Sequence, residues 1–94
     1  MTCPNEAVLQ QCPCCDHFTL PVRADWDICP VCFWEDDGSD LAKPDTPSGC
    51  NHGLTLRQAR HNLRQLGACE PEMLEHVCSA VARRRYVSEP RDLG

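Results

Sequence analysis

Two Cys-Pro-x-Cys units, at residues 12–15 and 29–32, constrain the fold of this 94-residue chain more than any other feature of its sequence. Each unit can form a tight turn, here called a knuckle, that directs two thiols toward one ion. The proline in each unit fixes a backbone dihedral angle of that turn. The thirteen residues between the units can form a hairpin that brings the knuckles together. The spacing therefore predicts a tetrahedral four-sulfur metal site with the ligands Cys12, Cys15, Cys29 and Cys32.

A closed site of four thiolates is typical of one structural zinc ion (Zn2+). A redox-active dithiol pair and iron in a rubredoxin-like site are the alternatives. Cys14 has the position in the first knuckle that Val31 has in the second, so we expect its side chain to point away from the ion. Asp16 tolerates the left-handed backbone that often follows such turns, whereas Phe33, in the equivalent place, does so less readily. This difference counts slightly against two knuckles of equal geometry.

Composition explains why a chain of this size needs a metal. Aromatic residues make up only 5% of it, while nine cysteines and eight prolines take positions that core residues could fill. One small domain with a limited core is expected. An odd number of cysteines and the absence of a secretory signal pattern argue against a disulfide scaffold. We expect a cytoplasmic protein without a membrane segment, in which the remaining thiols stay free: Cys3, Cys14, Cys50, Cys69 and Cys78.

Charge is unevenly distributed along the chain. Residues 1–54 contain nine acidic and two basic residues, a balance of −7, whereas residues 55–94 contain seven arginines and five acids. An acidic first half repels phosphates and favours a basic partner. The acidic run at 35–40 lacks the alternating carboxylates and the distal glutamate of a calcium loop, so a solvated acidic turn is the preferred interpretation. The residues predicted to bind a partner are Glu35, Asp36, Asp37 and Asp40.

The predicted fold class is α+β, with a small zinc-ribbon-like β-hairpin module followed by two α-helices. Apolar alternation over residues 18–22 predicts one strand, a turn follows near residues 23–25, and Trp26 and Ile28 continue the alternation in a second strand. The chain forms a single domain, residues 1–94, in this interpretation. Its parts are a zinc ribbon with hairpin at 10–34, an acidic loop at 35–54, a helical part at 55–86 and a frayed tail at 87–94.

The helical part is predicted to contain two helices. Thr55 and Gln58 have the spacing of a capping box at the start of the first helix, and Gly67 supplies its stop. The apolar face of this helix consists of Leu56, Ala59, Leu63 and Leu66. A second helix is predicted to start at Glu70 or Pro71 and to continue to about residue 86. Its apolar stripe consists of Met73, Leu74, Val77, Cys78 and Val81.

Other metal-ligand residue types occur later in the chain. Cys50 and His52 could begin a second site with Cys69 or His76, but no regular spacing supports such a site. A catalytic Cys-His dyad is equally unmarked.

Two stretches carry a familiar pattern, Cys-Pro-Cys-Cys at residues 12–15 and Asp-Ile-Cys-Pro-Val-Cys-Phe-Trp-Glu-Asp-Asp-Gly at residues 27–38. Together with Leu-Gly-Ala at 66–68, they resemble the bacterial cysteine-rich CPCC family over about residues 10–70. The resemblance implies a zinc-ribbon-like module followed by a helix, with the four knuckle cysteines as ligands, and it implies no particular activity. Four aromatic side chains are expected to gather near the metal: Phe18, Trp26, Phe33 and Trp34.

These observations predict a non-enzymatic, zinc-binding protein-protein interaction module whose acidic face binds a basic protein. One form of it is an immunity protein that occupies the basic groove of a cognate bacterial toxin. A zinc ribbon that contacts nucleic acid or the transcription machinery is an alternative, and a thiol redox protein is another. The nucleic-acid alternative would use Arg57, Arg60, Arg64 and residues 83–85.

Overall fold

The computed structural model describes residues 8–93, in which a two-stranded antiparallel hairpin is followed by two helices. This arrangement confirms the predicted α+β class. Cys3 lies outside the described residues. The elements in chain order are β1 (Gln10–Gln11), β2 (Phe18–Leu20), a 3-10 turn (Gly49–Asn51), α1 (Leu56–Leu66), a second 3-10 turn (Pro71–Met73) and α2 (Ala80–Arg83).

The hairpin encloses the first knuckle and not the segment between the two knuckles. β1 and β2 are antiparallel, with Gln11 opposite Phe18. The predicted pairing of residues 18–22 with residues 26–28 is therefore wrong. The physical reason is that the knuckle is itself the turn between the strands, and Pro21, which has no amide hydrogen to donate, follows the end of β2.

Helix α1 begins and ends where the sequence predicts. The Thr55 hydroxyl accepts a hydrogen bond from the Gln58 amide (3.1 Å), and the Gln58 side chain accepts one from the Thr55 amide (2.9 Å), which completes the capping box. At the other end, Gly67 has a φ of 92° and its amide donates to the Leu63 carbonyl. The buried residues of this helix are Leu56, Ala59 and Arg60.

The predicted second helix is largely absent. A single 3-10 turn, Pro71–Met73, is followed by turns, and only Ala80–Arg83 is α-helical. The Cys78 amide donates to the Pro30 carbonyl (2.8 Å), which draws this part of the chain onto the second knuckle and out of a continuous helix. Ser79 then caps α2, its hydroxyl accepting from the Ala82 amide (3.1 Å). Tertiary hydrogen bonding has overridden the helical periodicity.

The C-terminal segment is attached to the first knuckle, so the predicted frayed tail is wrong. The Phe18 amide donates to the Val87 carbonyl (2.8 Å), and an isolated antiparallel bridge joins His17 to Ser88. The Glu89 amide donates to the Asp16 carbonyl (3.2 Å). These bonds place the segment along the side of β2 that β1 leaves open.

The core lies around the knuckle cysteines. Trp34 is fully buried there, together with Leu20 and Val31. Trp26 is 59% exposed, so it does not join the predicted cluster of four aromatic side chains near the metal. Phe33 stacks on the ring of His76, with a centroid distance of 5.1 Å. Within residues 8–93, none of the helices has the length and apolar character needed to cross a membrane.

Candidate metal centre

The first knuckle is closed by two backbone hydrogen bonds. The Cys12 amide donates to the His17 carbonyl (2.8 Å), and the Asp16 amide donates to the Cys12 carbonyl (3.0 Å). Asp16 adopts the expected left-handed conformation, with a φ of 66°. This geometry turns the chain back on itself and leaves the two thiols on the inside of the turn.

The second knuckle repeats the same two bonds. The Cys29 amide donates to the Trp34 carbonyl (3.0 Å), and the Phe33 amide donates to the Cys29 carbonyl (2.8 Å). Phe33 has a φ of 68°, so the predicted inequality of the knuckles is wrong. A bulky residue in this region is costly. The stacking of Phe33 on His76 and the bond from the Cys69 amide to the Cys32 carbonyl (2.9 Å) hold this turn in place.

The two knuckles face each other across four buried sulfur atoms. The Sγ atoms of Cys12, Cys15, Cys29 and Cys32 all lie within 4.8 Å of one another. Two of the pairs, Cys12 with Cys32 and Cys15 with Cys29, are separated by 3.6 Å. A regular tetrahedron with metal–sulfur bonds of about 2.3 Å has edges of about 3.8 Å. The four cysteines therefore fit one tetrahedral metal ion.

Protonation within the site is unequal. The thiols of Cys12 and Cys15, together with other donors, hydrogen-bond to Cys29 and lower the pKa of that thiol. Its sulfur also accepts a hydrogen bond from the Thr19 hydroxyl (3.0 Å). Hydrogen bonding to Cys12 and Cys29 raises the pKa of Cys15, and burial raises the pKa of Cys32. A divalent metal ion that binds here would displace the protons that these thiols still carry.

The other described cysteines lie outside this group of four. Cys14 is buried, and its burial raises the pKa of its thiol. Cys69 is buried, and burial raises the pKa of its thiol to about 12. Cys78 is partly buried, while Cys50 is exposed at the surface. Among residues 8–93, the four knuckle cysteines are the only cluster of three or more ligand side chains, so the second metal site suggested by Cys50 and His52 is not formed.

A buried ion-pair cluster supports the first knuckle from behind. The Arg60 guanidinium donates two hydrogen bonds to the Asp16 carboxylate (2.8 and 3.0 Å) and a third to the Pro13 carbonyl (2.7 Å). Arg91 donates to the same carboxylate from its amide and its side chain, both at 2.8 Å. Burial alone would raise the pKa of Asp16, but the hydrogen bonds from Arg60 and Arg91 outweigh it and lower that pKa.

This cluster could not be predicted from the sequence, since Asp16, Arg60 and Arg91 lie far apart in the chain and no motif connects them. Arg60 was a candidate phosphate contact, yet its side chain is only 3% exposed. Arg83 is similarly engaged with main-chain oxygens, including the carbonyl of Gly67 (3.1 Å). Arg57 pairs with Asp45 at the surface. Three of the six arginines predicted for nucleic-acid contact, Arg57, Arg60 and Arg83, are therefore already bonded to carboxylates or main-chain oxygens.

The acidic segment is also different from its prediction. Asp36 is fully buried, and its carboxylate accepts hydrogen bonds from Arg23 (2.9 Å) and the Ala24 amide (2.7 Å), so it cannot contribute to an acidic face. The Asp37 carboxylate accepts from the hydroxyls of Ser39 and Ser48, both at 2.6 Å. The prediction fails for these two residues because their carboxylates accept hydrogen bonds within the protein and are not free for a partner. Glu35 and Asp40 are the two predicted partner-binding residues whose carboxylates form no hydrogen bond to another side chain within residues 8–93.

Comparison with known proteins assigns this arrangement of knuckles to a family. Residues 10–84 match the family described as Cysteine-rich CPCC. The chain belongs to the cysteine-rich CPCC family. The match includes both knuckles, α1 and α2, and so extends beyond the resemblance seen in the sequence. No curated protein and no solved structure matches this CPCC chain.

Proposed function

We propose that this CPCC protein binds one structural zinc ion and acts without catalysis, as a module that binds a basic protein partner. The observation that carries the metal assignment is the tetrad of buried knuckle sulfurs. Four protein ligands fill the coordination shell of Zn2+, so no open position remains for a substrate or an activated water. A reducing compartment, the cytoplasm, would keep these thiols available.

The bound ion would link the two knuckles, which are separated by thirteen residues in the chain. When bound, zinc would supply the Lewis acidity that holds the four thiolates of the knuckles together. The chain supplies the surroundings: Thr19 donates to the Cys29 sulfur, and the cluster of Asp16, Arg60 and Arg91 fixes the backbone behind the first knuckle. With 94 residues and a small core, much of the folding free energy would come from this ion.

Native mass spectrometry of the full chain tests the metal assignment. We expect one zinc per chain in the wild type. Cys12→Ser and Cys29→Ser should lose both the zinc and the cooperative unfolding transition, while Cys50→Ser, at an exposed position outside the tetrad, should keep both. Bound iron, or a metal-free chain that still unfolds cooperatively, would contradict the zinc assignment. Turnover of a dithiol substrate by the metal-free wild type would favour the redox alternative.

The partner is proposed from charge. The chain has a formal net charge of −5, and four thiolates with one Zn2+ would add a further charge of about −2 at the knuckles. A basic protein would be attracted to this negatively charged chain, and the long-range attraction would speed its association. A bacterial toxin with a basic substrate groove is one such partner, and the chain would then be its immunity protein.

Binding to such a partner can be tested with purified components. A toxin encoded beside this gene, if it is basic, should bind the zinc-loaded chain in isothermal titration calorimetry, and the affinity should fall as salt is raised. Co-expression should protect cells from that toxin. Absence of both binding and protection would refute the immunity form of the proposal.

A further inference from the structure

We propose that the surface around Trp26 is where this protein binds arginine side chains of its partner. The Trp26 surface is defined by the indole of Trp26 and the carboxylates of Asp25, Asp27 and Glu35. The inference rests on the proposed function, because it names the part of the chain that a basic protein partner would contact. The Trp26 surface takes the place of the acidic segment 35–40 as the predicted docking site, because the carboxylates of Asp36 and Asp37 accept hydrogen bonds within the protein.

The first observation is exposure. Trp26 is 59% exposed, whereas Trp34, the other tryptophan of the chain, is fully buried. Val22 and Ile28 are also about half exposed, at 53% and 47%. An indole on the surface adds little to a core, but tryptophan is strongly enriched among the residues that dominate binding energy in protein interfaces. The segment 22–28 therefore exposes three apolar side chains that a partner could contact.

The second observation is that the backbone presenting this indole is held in an uncommon conformation. Ala24 and Trp26 have φ values of 59° and 58°, in the left-handed region that non-glycine residues rarely adopt. The buried Asp36 maintains it: its carboxylate accepts from the amide of Ala24 (2.7 Å) and its carbonyl accepts from the amide of Trp26 (2.9 Å). Arg23 completes the arrangement with two bonds to the same carboxylate (2.9 and 3.3 Å). The loop is ordered before any partner arrives, which reduces the entropic cost of binding.

The third observation is the charge of the residues near Trp26 in the chain and across the bridge at Ile28. Asp25 and Asp27 flank Trp26 in sequence, and Glu35 lies across from Ile28 in an isolated antiparallel bridge. None of these three carboxylates has a hydrogen-bond or ion-pair partner among residues 8–93. The nearby charge of Arg23 is already matched by Asp36. Trp26 therefore lies in a part of the chain that carries uncompensated negative charge.

An aromatic plane beside free carboxylates selects a particular cation. A guanidinium stacks flat on an indole face while its N–H groups donate to carboxylate oxygens. A lysine ammonium is a compact, strongly hydrated charge that lacks this plane. The Trp26 surface should therefore bind an arginine-bearing segment more tightly than the same segment with lysine.

The test uses the zinc-loaded full chain and a short synthetic peptide of alternating arginine and glycine, with a lysine version for comparison. Each tryptophan gives one indole N–H signal in a ¹H–¹⁵N spectrum, and the buried Trp34 serves as an internal control. We expect the arginine peptide to shift the Trp26 signal in a saturable way and to leave the Trp34 signal unchanged. The lysine peptide should bind several-fold more weakly.

Variants then locate the binding site, with affinity measured from the anisotropy of labelled peptide. Trp26→Ala and the double variant Asp25→Asn/Asp27→Asn should each bind about tenfold more weakly than the wild type. The matched control, Asp45→Asn/Asp92→Asn, removes the same charge from exposed positions outside residues 22–36 and should bind as the wild type does.

The outcomes separate this proposal from the function on which it rests. If Trp26→Ala and Asp25→Asn/Asp27→Asn bind the peptide as tightly as the control, the Trp26 surface is not the docking site, although a basic partner is still bound. If the wild type binds neither peptide, the proposed interaction with a basic partner fails as well. A Trp26 signal that shifts with protein concentration alone would assign the surface to a second copy of the chain and overturn the proposal.

Discussion

Replacing Asp16 with asparagine isolates the charge of the buried cluster behind the first knuckle. Asparagine has nearly the same shape and tolerates the left-handed backbone of this position, where φ is 66°. The substitution leaves the Arg60 guanidinium buried, with a side chain only 3% exposed, and without the carboxylate that accepts two of its hydrogen bonds. Arg91 loses its anionic partner as well.

The expected cost is large because the cluster is buried. Removing one partner of a buried ion pair destabilises a protein by about 3–5 kcal/mol, since the remaining charge is left uncompensated. Arg91 is partly exposed and can be rehydrated, so the lower end of this range, about 3 kcal/mol, is the expected loss for Asp16→Asn. That loss lowers the folding equilibrium constant by about 150-fold.

Urea unfolding of the wild type and the variant, both saturated with zinc, measures this loss, and mass spectrometry verifies that each retains its metal. Asp45→Asn is the matched control, because Asp45 pairs with Arg57 at the surface, and no measurable change is expected there. The double variant Asp16→Asn/Arg60→Met should be less destabilised than the sum of its single variants, since the buried charge is also removed. A loss below about 1 kcal/mol for Asp16→Asn would refute the reasoning.

Three further predictions concern the metal site and α1. Thr19→Val, which keeps the shape but removes the hydrogen bond to a ligand sulfur, should weaken zinc binding about tenfold or more, as measured by competition with a chelator. Zinc binding near pH 7 should release thiol protons, because the pKa values of Cys15 and Cys32 are raised in the metal-free site, so the apparent zinc affinity should rise with pH; calorimetry in buffers of different ionisation enthalpy measures this proton release. Gly67→Ala should lower stability by about 1 kcal/mol because φ is 92° there, whereas Gly49→Ala, with a φ outside the left-handed region and open space around it, should be neutral in thermal unfolding.

Each of these predictions has a result that contradicts it. Unchanged zinc affinity in Thr19→Val would mean that the hydroxyl does not support the ligand sulfur. A zinc affinity that rises as the pH is lowered would contradict the expected release of protons. Equal melting temperatures for the two glycine variants would remove the role assigned to the left-handed backbone at Gly67.

The parts of the structure that short-range chemistry controls were predictable. The capping box of Thr55 and Gln58 and the stop at Gly67 depend on residues within one or two helical turns, so local spacing places α1 correctly. The two Cys-Pro-x-Cys units likewise fix their own turns, and their spacing places four sulfurs in one group.

Contacts between distant residues were not predictable in the same way. The segment after residue 70 has helical periodicity, yet the bond from the Cys78 amide to the Pro30 carbonyl interrupts the helix. A propensity amounts to a few tenths of a kcal/mol per residue, so a tertiary hydrogen bond and the packing around it can reverse it. No pattern in one sequence records a partner that lies many residues away.

The sequence by itself determined the grouping of the four knuckle cysteines, the α+β class and the limits of α1, because each follows from motifs or periodicities carried by short stretches of the chain. Only the tertiary structure decided which acids are available and what lies behind the first knuckle. Asp36 is buried by pairing with Arg23, and Asp16 by pairing with Arg60 and Arg91. From sequence alone, charged residues are expected at the surface, because burying a charge is costly unless an oppositely charged group lies beside it. In this protein the fold supplies that group.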